Sequence, residues 1–218
     1  MEYMQSLTAE VEPSLKAYPT KIGILGGSFN PVHSGHIELA CNVYREFNLS
    51  RVLLLLTGNP PHKSSSILAP VQDRLNMLIL ASGAHSFLEA SNLELSRSGI
   101  IYTVDTLQQL TAKQPNAEFY FMIGSDTLFE LESWKSIEEV FRLTNFICVP
   151  RPGNSLFQII MEIDRLNRQY GEHIKLSAYS GIPVSSSEIR EAIKKNRHPV
   201  ENLPREVEDY IIQYGLYK

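Results

Sequence analysis

Short apolar runs separated by longer amphipathic segments make up most of the chain. The runs at Lys21–Leu25 and Arg51–Leu56 are continuous, as expected of strands buried on both faces of a parallel sheet. Glycine or proline follows each of them closely and predicts a turn there. The same criteria predict further strands at Leu88–Leu95, Glu118–Ile123, Thr144–Val149 and Ile174–Leu176.

Helical periodicity fills the intervals between these strands. From Gly35 to Phe47, apolar residues recur every three or four positions, at Ile37, Ala40, Cys41, Tyr44 and Phe47. A second helix is predicted over Val71–Ala84, with Leu75, Leu78, Ile79 and Ser82 on one side. Further helices are predicted at Thr103–Ala112, Ser136–Arg142, Leu156–Gln169, Ser186–Lys195 and Glu206–Tyr214.

This alternation predicts the α/β class: a Rossmann-like, doubly wound parallel sheet with helices on both faces. No internal repeat or low-complexity linker interrupts it, so residues 21–218 are expected to form a single domain. Residues 1–20 are expected to be an N-terminal extension, either flexible or packed on the surface. Ligands of such sheets bind beyond the carboxyl ends of the strands, so chemistry is sought there.

Charge and composition narrow the class of partner. The net charge of −4 argues against broad binding to nucleic acid or to anionic membrane. No apolar run approaches the roughly 20 residues that span a bilayer, and the acidic N-terminus does not resemble a signal peptide. We therefore expect a cytoplasmic protein. Cys41 and Cys148 each lie in an apolar stretch and are expected to be free, buried thiols.

The first candidate site is the segment Gly26–His36, GGSFNPVHSGH, which follows the first strand and enters a helix. Glycines allow a ligand to approach the backbone, and the free N–H groups of a helix start attract anions. His33 and His36 add donors for phosphate oxygens. Simpler interpretations are a structural Gly-Gly turn, a histidine cap, or a metal-binding pair. The segment matches neither GxGxxG nor GxxxxGK[ST], the main dehydrogenase and P-loop signatures.

This segment resembles the signature GG-x-F-[ND]-P-x-H-x-G-H of the HxGH nucleotidyltransferase superfamily. The similarity is greatest to the bacterial nicotinate-nucleotide adenylyltransferase family and extends over Lys21–Tyr217. It implies an ATP-binding turn, with His33 and His36 on the ATP phosphates. The residues of the turn are Gly26, Gly27, Ser28 and Phe29.

A second segment, Val184–Arg190 (VSSSEIR), resembles the family's ISSTxIR signature. That resemblance implies that Ser186, Ser187 and Arg190 bind the triphosphate, a role that suits the forked guanidinium. Read without the resemblance, these serines and Glu188 are an ordinary helix cap. A third segment, Asn59–Lys63, is similar to the family's PPHK sequence and implies that His62 and Lys63 face phosphates between donor and acceptor. The alternative is a solvated loop.

Two further segments resemble the family's acceptor site. Leu93–Leu107 is similar to E-x-x-R-x-G-x-SYT-x-DTL, with Ile101 where serine is commoner, and implies backbone donors at Thr103 for the pyridine substituent. Asp105 and Thr106 could instead cap the next helix. The family's GxD…W spacing implies that Asp126 binds ribose hydroxyls, that Trp134 stacks on the nicotinate ring and that Lys135 favours its carboxylate. A single tryptophan is otherwise a core residue.

The resemblance implies transfer of an adenylyl group from ATP to nicotinate mononucleotide, giving deamido-NAD and pyrophosphate in NAD biosynthesis. It assigns the catalytic roles to His33, His36, Lys63 and Arg190. Mg²⁺ is expected to arrive with ATP rather than in a site built from protein ligands. The alternatives are nicotinamide mononucleotide or another phosphorylated acceptor, a non-catalytic nucleotide-binding module, and a flavodoxin-like or dehydrogenase redox protein. A homo-oligomer is left open.

Overall fold

The computed structural model describes residues 19–58, 68–97 and 99–218, and six strands in these ranges form one parallel sheet. Their order is β3-β2-β1-β4-β5-β6, the arrangement of doubly wound dinucleotide-binding folds. The predicted fold class is confirmed. The strands are β1 (Thr20–Gly27), β2 (Arg51–Leu56), β3 (Leu88–Ser91), β4 (Ala117–Gly124), β5 (Asn145–Val149) and β6 (Ile174–Leu176).

Helices connect the strands and cover both faces of the sheet. None of the helices in the described ranges is both long enough and apolar enough to cross a membrane. They are α1 (Ser34–Glu46), α2 (Val71–Ser82), α3 (Thr103–Lys113), α4 (Ser125–Glu130), α5 (Ile137–Leu143), α6 (Leu156–Tyr170), α7 (Ser186–Lys194) and α8 (Arg205–Tyr214), with a 3₁₀ turn at Leu131–Ser133.

The predicted elements are confirmed, with two differences. The third strand ends at Ser91 instead of Leu95, because Leu95 N–H turns back to the carbonyl of Asn92 at 2.9 Å. Helix α4 and the 3₁₀ turn were not predicted. They are too short, at six and three residues, to show a clear apolar period.

Strand side chains alternate between two cores, one on each face of the sheet. On β1, Leu25 packs with residues of α1, α2, α7 and α8, whereas Ile22 and Ile24 pack with residues of α3, α5 and α6. This alternation explains why the strands read as continuous apolar runs, since both faces are buried. Cys41 and Cys148 are buried and free, as predicted.

The predicted buried face of α2 is partly wrong. Of the residues predicted to share one side, Leu78 and Ser82 are buried but Ile79 is 52% exposed, and the buried face also carries Arg74, Met77 and Ala81. Arg74 is only 1% exposed. A pattern of apolar residues does not reveal this face because its first buried residue is charged.

The strand order creates a crevice at the carboxyl edge of the sheet. β1 lies between β2 and β4, so the chain leaves β1 toward one face and β4 toward the other. This is the topological switch point at which open α/β sheets bind ligands. It brings together the turn after Gly27 and the turn after Gly124.

Candidate active site

The turn between β1 and α1 is built around Phe29. This residue is 1% exposed and has a φ of 41°, in the left-handed region that non-glycine residues seldom occupy. Its ring folds back onto the strand, where a Cβ on Gly27 would lie 3.1 Å from it. Gly27 is therefore needed for this close approach. The Phe29 side chain therefore belongs to the core and is not a wall of the predicted ATP site.

His33 and His36 stack at the start of α1, with ring centroids 3.7 Å apart. Nδ1 of His36 accepts a hydrogen bond of 3.2 Å from the His33 N–H and so helps to cap the helix. The edge of the Phe29 ring meets His36 at a centroid distance of 5.0 Å. The Phe29 ring thus orients His36, and stacking on His36 orients His33.

His33 is 6% exposed, and burial lowers its pKa to about 4, against an opposing effect of the Glu188 carboxylate. It is therefore neutral at physiological pH. Its Nδ1 is buried beside the start of α1 without a well-formed hydrogen bond. Because a helix start is electropositive, it favours a lone pair on Nδ1 and places the proton on Nε2. The ring of a neutral His33 then has one N–H donor, at Nε2.

Helix α7 docks directly on this turn. Ser186 Oγ donates to the carbonyl of Pro31 at 2.9 Å, and Arg190 Nη1 donates to the carbonyl of Asn30 at 2.7 Å. A Cβ on Gly35 would lie only 2.6 Å from Cγ1 of Val184. The two segments singled out in the sequence are therefore in contact, although they lie near opposite ends of the chain.

The serines at the start of α7 have different roles. Ser185 caps α7 by accepting from the Glu188 N–H at 3.2 Å, while Glu188 accepts from the Ser185 N–H at 2.9 Å. The interpretation of these two residues as a helix cap is confirmed. Ser187 Oγ instead accepts from Arg190 Nη2 at 3.1 Å. Arg190 is thereby oriented at the helix start. On the first helix, the Ser34 N–H donates to the carbonyl of Asn202 at 2.9 Å.

Asn30 joins this region to more distant segments. It occupies the [ND] position of the first motif but was not predicted as a site residue. Its side-chain oxygen accepts from the Tyr217 hydroxyl at 2.8 Å and from the Ala69 N–H at 2.9 Å. Burial raises the pKa of the Tyr217 hydroxyl, which therefore stays protonated and able to donate. Only the tertiary structure brings these three residues together.

The segments of the predicted acceptor site meet on the β4 side. Lys135 Nζ lies 4.0 Å from the centroid of the Tyr102 ring. Tyr102 immediately precedes Thr103, the first residue of α3. Trp134 is partly buried and meets Phe121 and Phe146 edge-on, at centroid distances of 5.7 and 6.2 Å. The indole thus belongs partly to the core and retains some exposed surface.

Asp126 lies beyond β4, where Arg151 Nε approaches its Oδ1 at 3.1 Å. A Cβ on Gly124 would collide with both side chains, so glycine is required beneath this pair. Buried Ser125 accepts from the Arg151 N–H at 3.0 Å and from the Asn154 side chain at 2.7 Å, which fixes the loop after β5. Arg151 was not predicted as a site residue.

A buried polar cluster lies beside α3. Thr106 Oγ1 donates to Glu94 at 2.8 Å and accepts from Arg97. Thr106 does not cap the helix, so the alternative interpretation is wrong for this residue. Asp105 does not cap it either, since the helix start has no side-chain cap. Burial raises the pKa of the Glu94 carboxyl. An open cleft of about 450 Å³ adjoins this cluster, lined by Ser96, Arg97, Ile100, Ile101 and Asp105.

The structure thus gathers the candidate residues into two neighbouring groups at the carboxyl edge of the sheet. His33, His36, Ser186, Ser187 and Arg190 lie around the starts of α1 and α7. Thr103, Asp126, Trp134 and Lys135 lie around the ends of β4 and the start of α3. His62 and Lys63 fall outside the described residues. Within the described ranges, no group of three His, Cys, Asp or Glu side chains is arranged to hold a metal ion.

Comparison with known proteins agrees with this geometry. The family described as cytidylyltransferase-like matches residues 24–192. A probable nicotinate-nucleotide adenylyltransferase of Desulfitobacterium hafniense is 36% identical, covering 94% of this chain and 99% of that protein. One from Lachnoclostridium phytofermentans is 37% identical, covering 90% and 98%.

The fold also agrees with a solved structure, nicotinic acid mononucleotide adenylyltransferase of Plasmodium falciparum complexed with NaAD. That protein is 23% identical, with coverage of 91% of this chain and 97% of its own and a TM-score of 0.73. At this identity the likeness supports the fold. The sequence relatives support the family. The chain belongs to the cytidylyltransferase-like family and, within it, to the nicotinate-nucleotide adenylyltransferases.

Proposed function

We propose that this enzyme transfers the adenylyl group of ATP to nicotinate mononucleotide, giving deamido-NAD and pyrophosphate. An oxygen of the acceptor's 5′-phosphate attacks the α-phosphorus of ATP. The bond from that phosphorus to the bridging oxygen breaks, and pyrophosphate leaves with the electron pair. Because a phosphate monoester has its second pKa near 6, the attacking oxygen is already ionised at neutral pH. No general base is needed.

The protein's task is to align the reactants and stabilise negative charge. We assign the triphosphate to the two helix starts, with Arg190 as the fixed cation and His33 and His36 as hydrogen-bond donors. The contacts of Arg190 with Asn30 and Ser187 support this assignment, because they hold the guanidinium at the turn after β1. His33, neutral when the site is empty, would donate through Nε2. Lys63 and His62 complete the proposed site from the sequence resemblance.

Mg²⁺ is proposed to enter with ATP. Phosphate oxygens and water would be its main ligands. When bound, the ion would supply further neutralisation of phosphate charge. A cytoplasmic location stays a prediction, and the oligomeric state stays open.

Acceptor recognition is assigned to the β4 side of the crevice. Trp134 offers the remaining face of its indole to a flat ring, and Asp126 offers carboxylate oxygens to ribose hydroxyls. Lys135 places positive charge at the start of α3, next to Thr103. An anionic nicotinate gains from both the cation and the helix start, whereas the neutral amide gains little. We therefore propose the acid as the preferred acceptor.

The observation that carries the proposal is the contact between the starts of α1 and α7 through Gly35 and Val184. The test is pyrophosphate release from ATP and Mg²⁺ in the presence of nicotinate mononucleotide, nicotinamide mononucleotide, phosphopantetheine or no acceptor. We expect release with the acid, at a kcat/KM at least about tenfold above that with the amide. Lys135→Met should reduce this preference by lowering turnover of the acid.

Other results of this panel, or of the purification itself, would contradict the proposal in different ways. A preference for the amide contradicts the proposed acceptor but keeps the reaction. Tight ATP binding without pyrophosphate release under any condition contradicts the enzyme and supports a nucleotide-binding module. Bound flavin or NAD in the purified protein supports a redox protein instead.

A further inference from the structure

Arg74 lies on the buried face of α2 and donates four hydrogen bonds to backbone carbonyls. Nη1 donates to Ser28 and to Thr57, each at 2.8 Å, and Nη2 donates to Gly58 at 2.6 Å. Nε donates to Ala69 at 3.1 Å. These carbonyls belong to the turns that leave β1 and β2 and to the segment that enters α2. One side chain therefore fixes two turns at the carboxyl edge of the sheet and the segment that enters α2.

No carboxylate of the described ranges forms an ion pair with Arg74. Burial lowers its pKa, yet a guanidinium remains protonated at neutral pH. Charged side chains that are fully buried are usually paired with an opposite charge. Here four carbonyl dipoles solvate the cation and leave its net charge in place, directly behind the turns after β1 and β2.

The direction of these bonds determines where the neighbouring N–H groups point. In a trans peptide the N–H lies opposite the carbonyl, and the Ser28–Phe29 and Thr57–Gly58 peptides are trans. Because the carbonyls of Ser28 and Thr57 face Arg74, the N–H groups of Phe29 and Gly58 point away from it. The same bond to Ser28 supports the strained φ of Phe29.

We propose that Arg74 is a positioning residue for the triphosphate. It orients the peptide N–H groups of the turns after β1 and β2 and supplies unneutralised positive charge behind them. This inference rests on the proposed function, since it takes the triphosphate as the ligand of these turns. Arg74 itself does not contact the nucleotide. It acts through the backbone that it holds.

The test compares Arg74→Lys and Arg74→Met with the wild-type chain. Lysine keeps the charge but cannot reach four carbonyls in the planar pattern of a guanidinium, and methionine loses both the charge and the donors. We expect kcat/KM for ATP to fall about tenfold in Arg74→Lys and about 100-fold in Arg74→Met. Binding of inorganic tripolyphosphate, measured by calorimetry, should weaken in the same order. The KM of the acceptor should stay within about threefold.

The matched control is Leu166→Ala, a cavity in the core on the opposite face of the sheet. It should lower stability in urea unfolding and leave tripolyphosphate affinity unchanged. The proposal is overturned if folded Arg74→Met binds tripolyphosphate like the wild type, or if its defect matches that of Leu166→Ala. Should Arg74→Met fail to fold, wild-type affinity in Arg74→Lys overturns it equally. Failure of the proposed function shows differently, as a wild-type chain that releases no pyrophosphate.

Discussion

Ser186 Oγ donates a hydrogen bond of 2.9 Å to the carbonyl of Pro31, joining residues 155 positions apart in the chain. The bond holds the start of α7 against the turn that leads into α1. Since both helix starts then face one crevice, their N–H groups and dipoles can act on one anion.

His36→Ala should lower kcat by at least about 100-fold, a loss of about 2.7 kcal/mol of transition-state stabilisation. The reason is that His36 is proposed to donate to a phosphate oxygen whose charge grows as pyrophosphate leaves. Steady-state pyrophosphate release measures the effect. His173→Ala is the control. His173 contacts Asn145 at the start of β5, on the opposite edge of the sheet from the crevice, so this variant should retain activity. Near-normal turnover in His36→Ala would remove its assigned role.

Trp134→Ala should raise the KM of nicotinate mononucleotide about tenfold and change the KM of ATP little. The indole is proposed to stack on the acceptor ring, so its loss affects one substrate. Since Trp134 is the only tryptophan in the chain, acceptor binding should also change the intrinsic fluorescence of the wild type. Trp134→Phe keeps an aromatic packing partner for Phe121 and should give an intermediate KM. Equal increases in both KM values would point to a core role alone.

His33 should make the folded state less stable at acidic pH. Its pKa is about 4 in the folded protein against an ordinary 6.5, so the unfolded chain binds more protons between these values. Stability therefore falls as pH is lowered through that window, by about 2 kcal/mol from about pH 7.5 to about pH 5. Urea unfolding of the wild type and of His33→Gln measures this difference. Identical pH dependence in the two proteins would show that His33 titrates normally.

Gly35→Ala should separate the two motifs. The added methyl would lie 2.6 Å from Cγ1 of Val184, which we expect to cost about 1–3 kcal/mol of stability and to weaken ATP binding. Val184→Ala removes that atom. The double variant should therefore lose less stability than the summed losses of the two single variants. Contacts with the His33 ring remain, and the rescue should be partial. Strict additivity would show that Val184 is not the obstacle.

Most of the fold followed from the sequence because its strands are buried on both faces and its helices show clear periodicity. The buried face of α2 did not follow, since it begins with the charged Arg74 instead of an apolar residue. In retrospect, a charged residue spaced three and four positions from Met77 and Leu78 is the signal that was available. It marks a buried cation whose partners lie elsewhere in the chain.

In the candidate site, too, some residues could be predicted from the sequence and others could not. His33, His36 and Arg190 lie in sequence motifs with fixed spacing, and the structure brings those motifs into contact. Tyr217 and Arg151 carry no comparable local signal, because their partners are far away in sequence and only packing creates the contacts. Asn30 lies in the first motif, but its bond to Tyr217 does not follow from that motif. Trp134 combines both kinds of role, being partly core and partly exposed.

The central claim is that the starts of α1 and α7 hold one triphosphate. Calorimetric titration of inorganic tripolyphosphate into the wild type, His36→Ala and Arg190→Lys tests it most directly. We predict one site per chain and an affinity loss of about tenfold or more in each variant, since both contact the same anion. Two independent sites, or a loss in one variant with wild-type affinity in the other, would contradict the account.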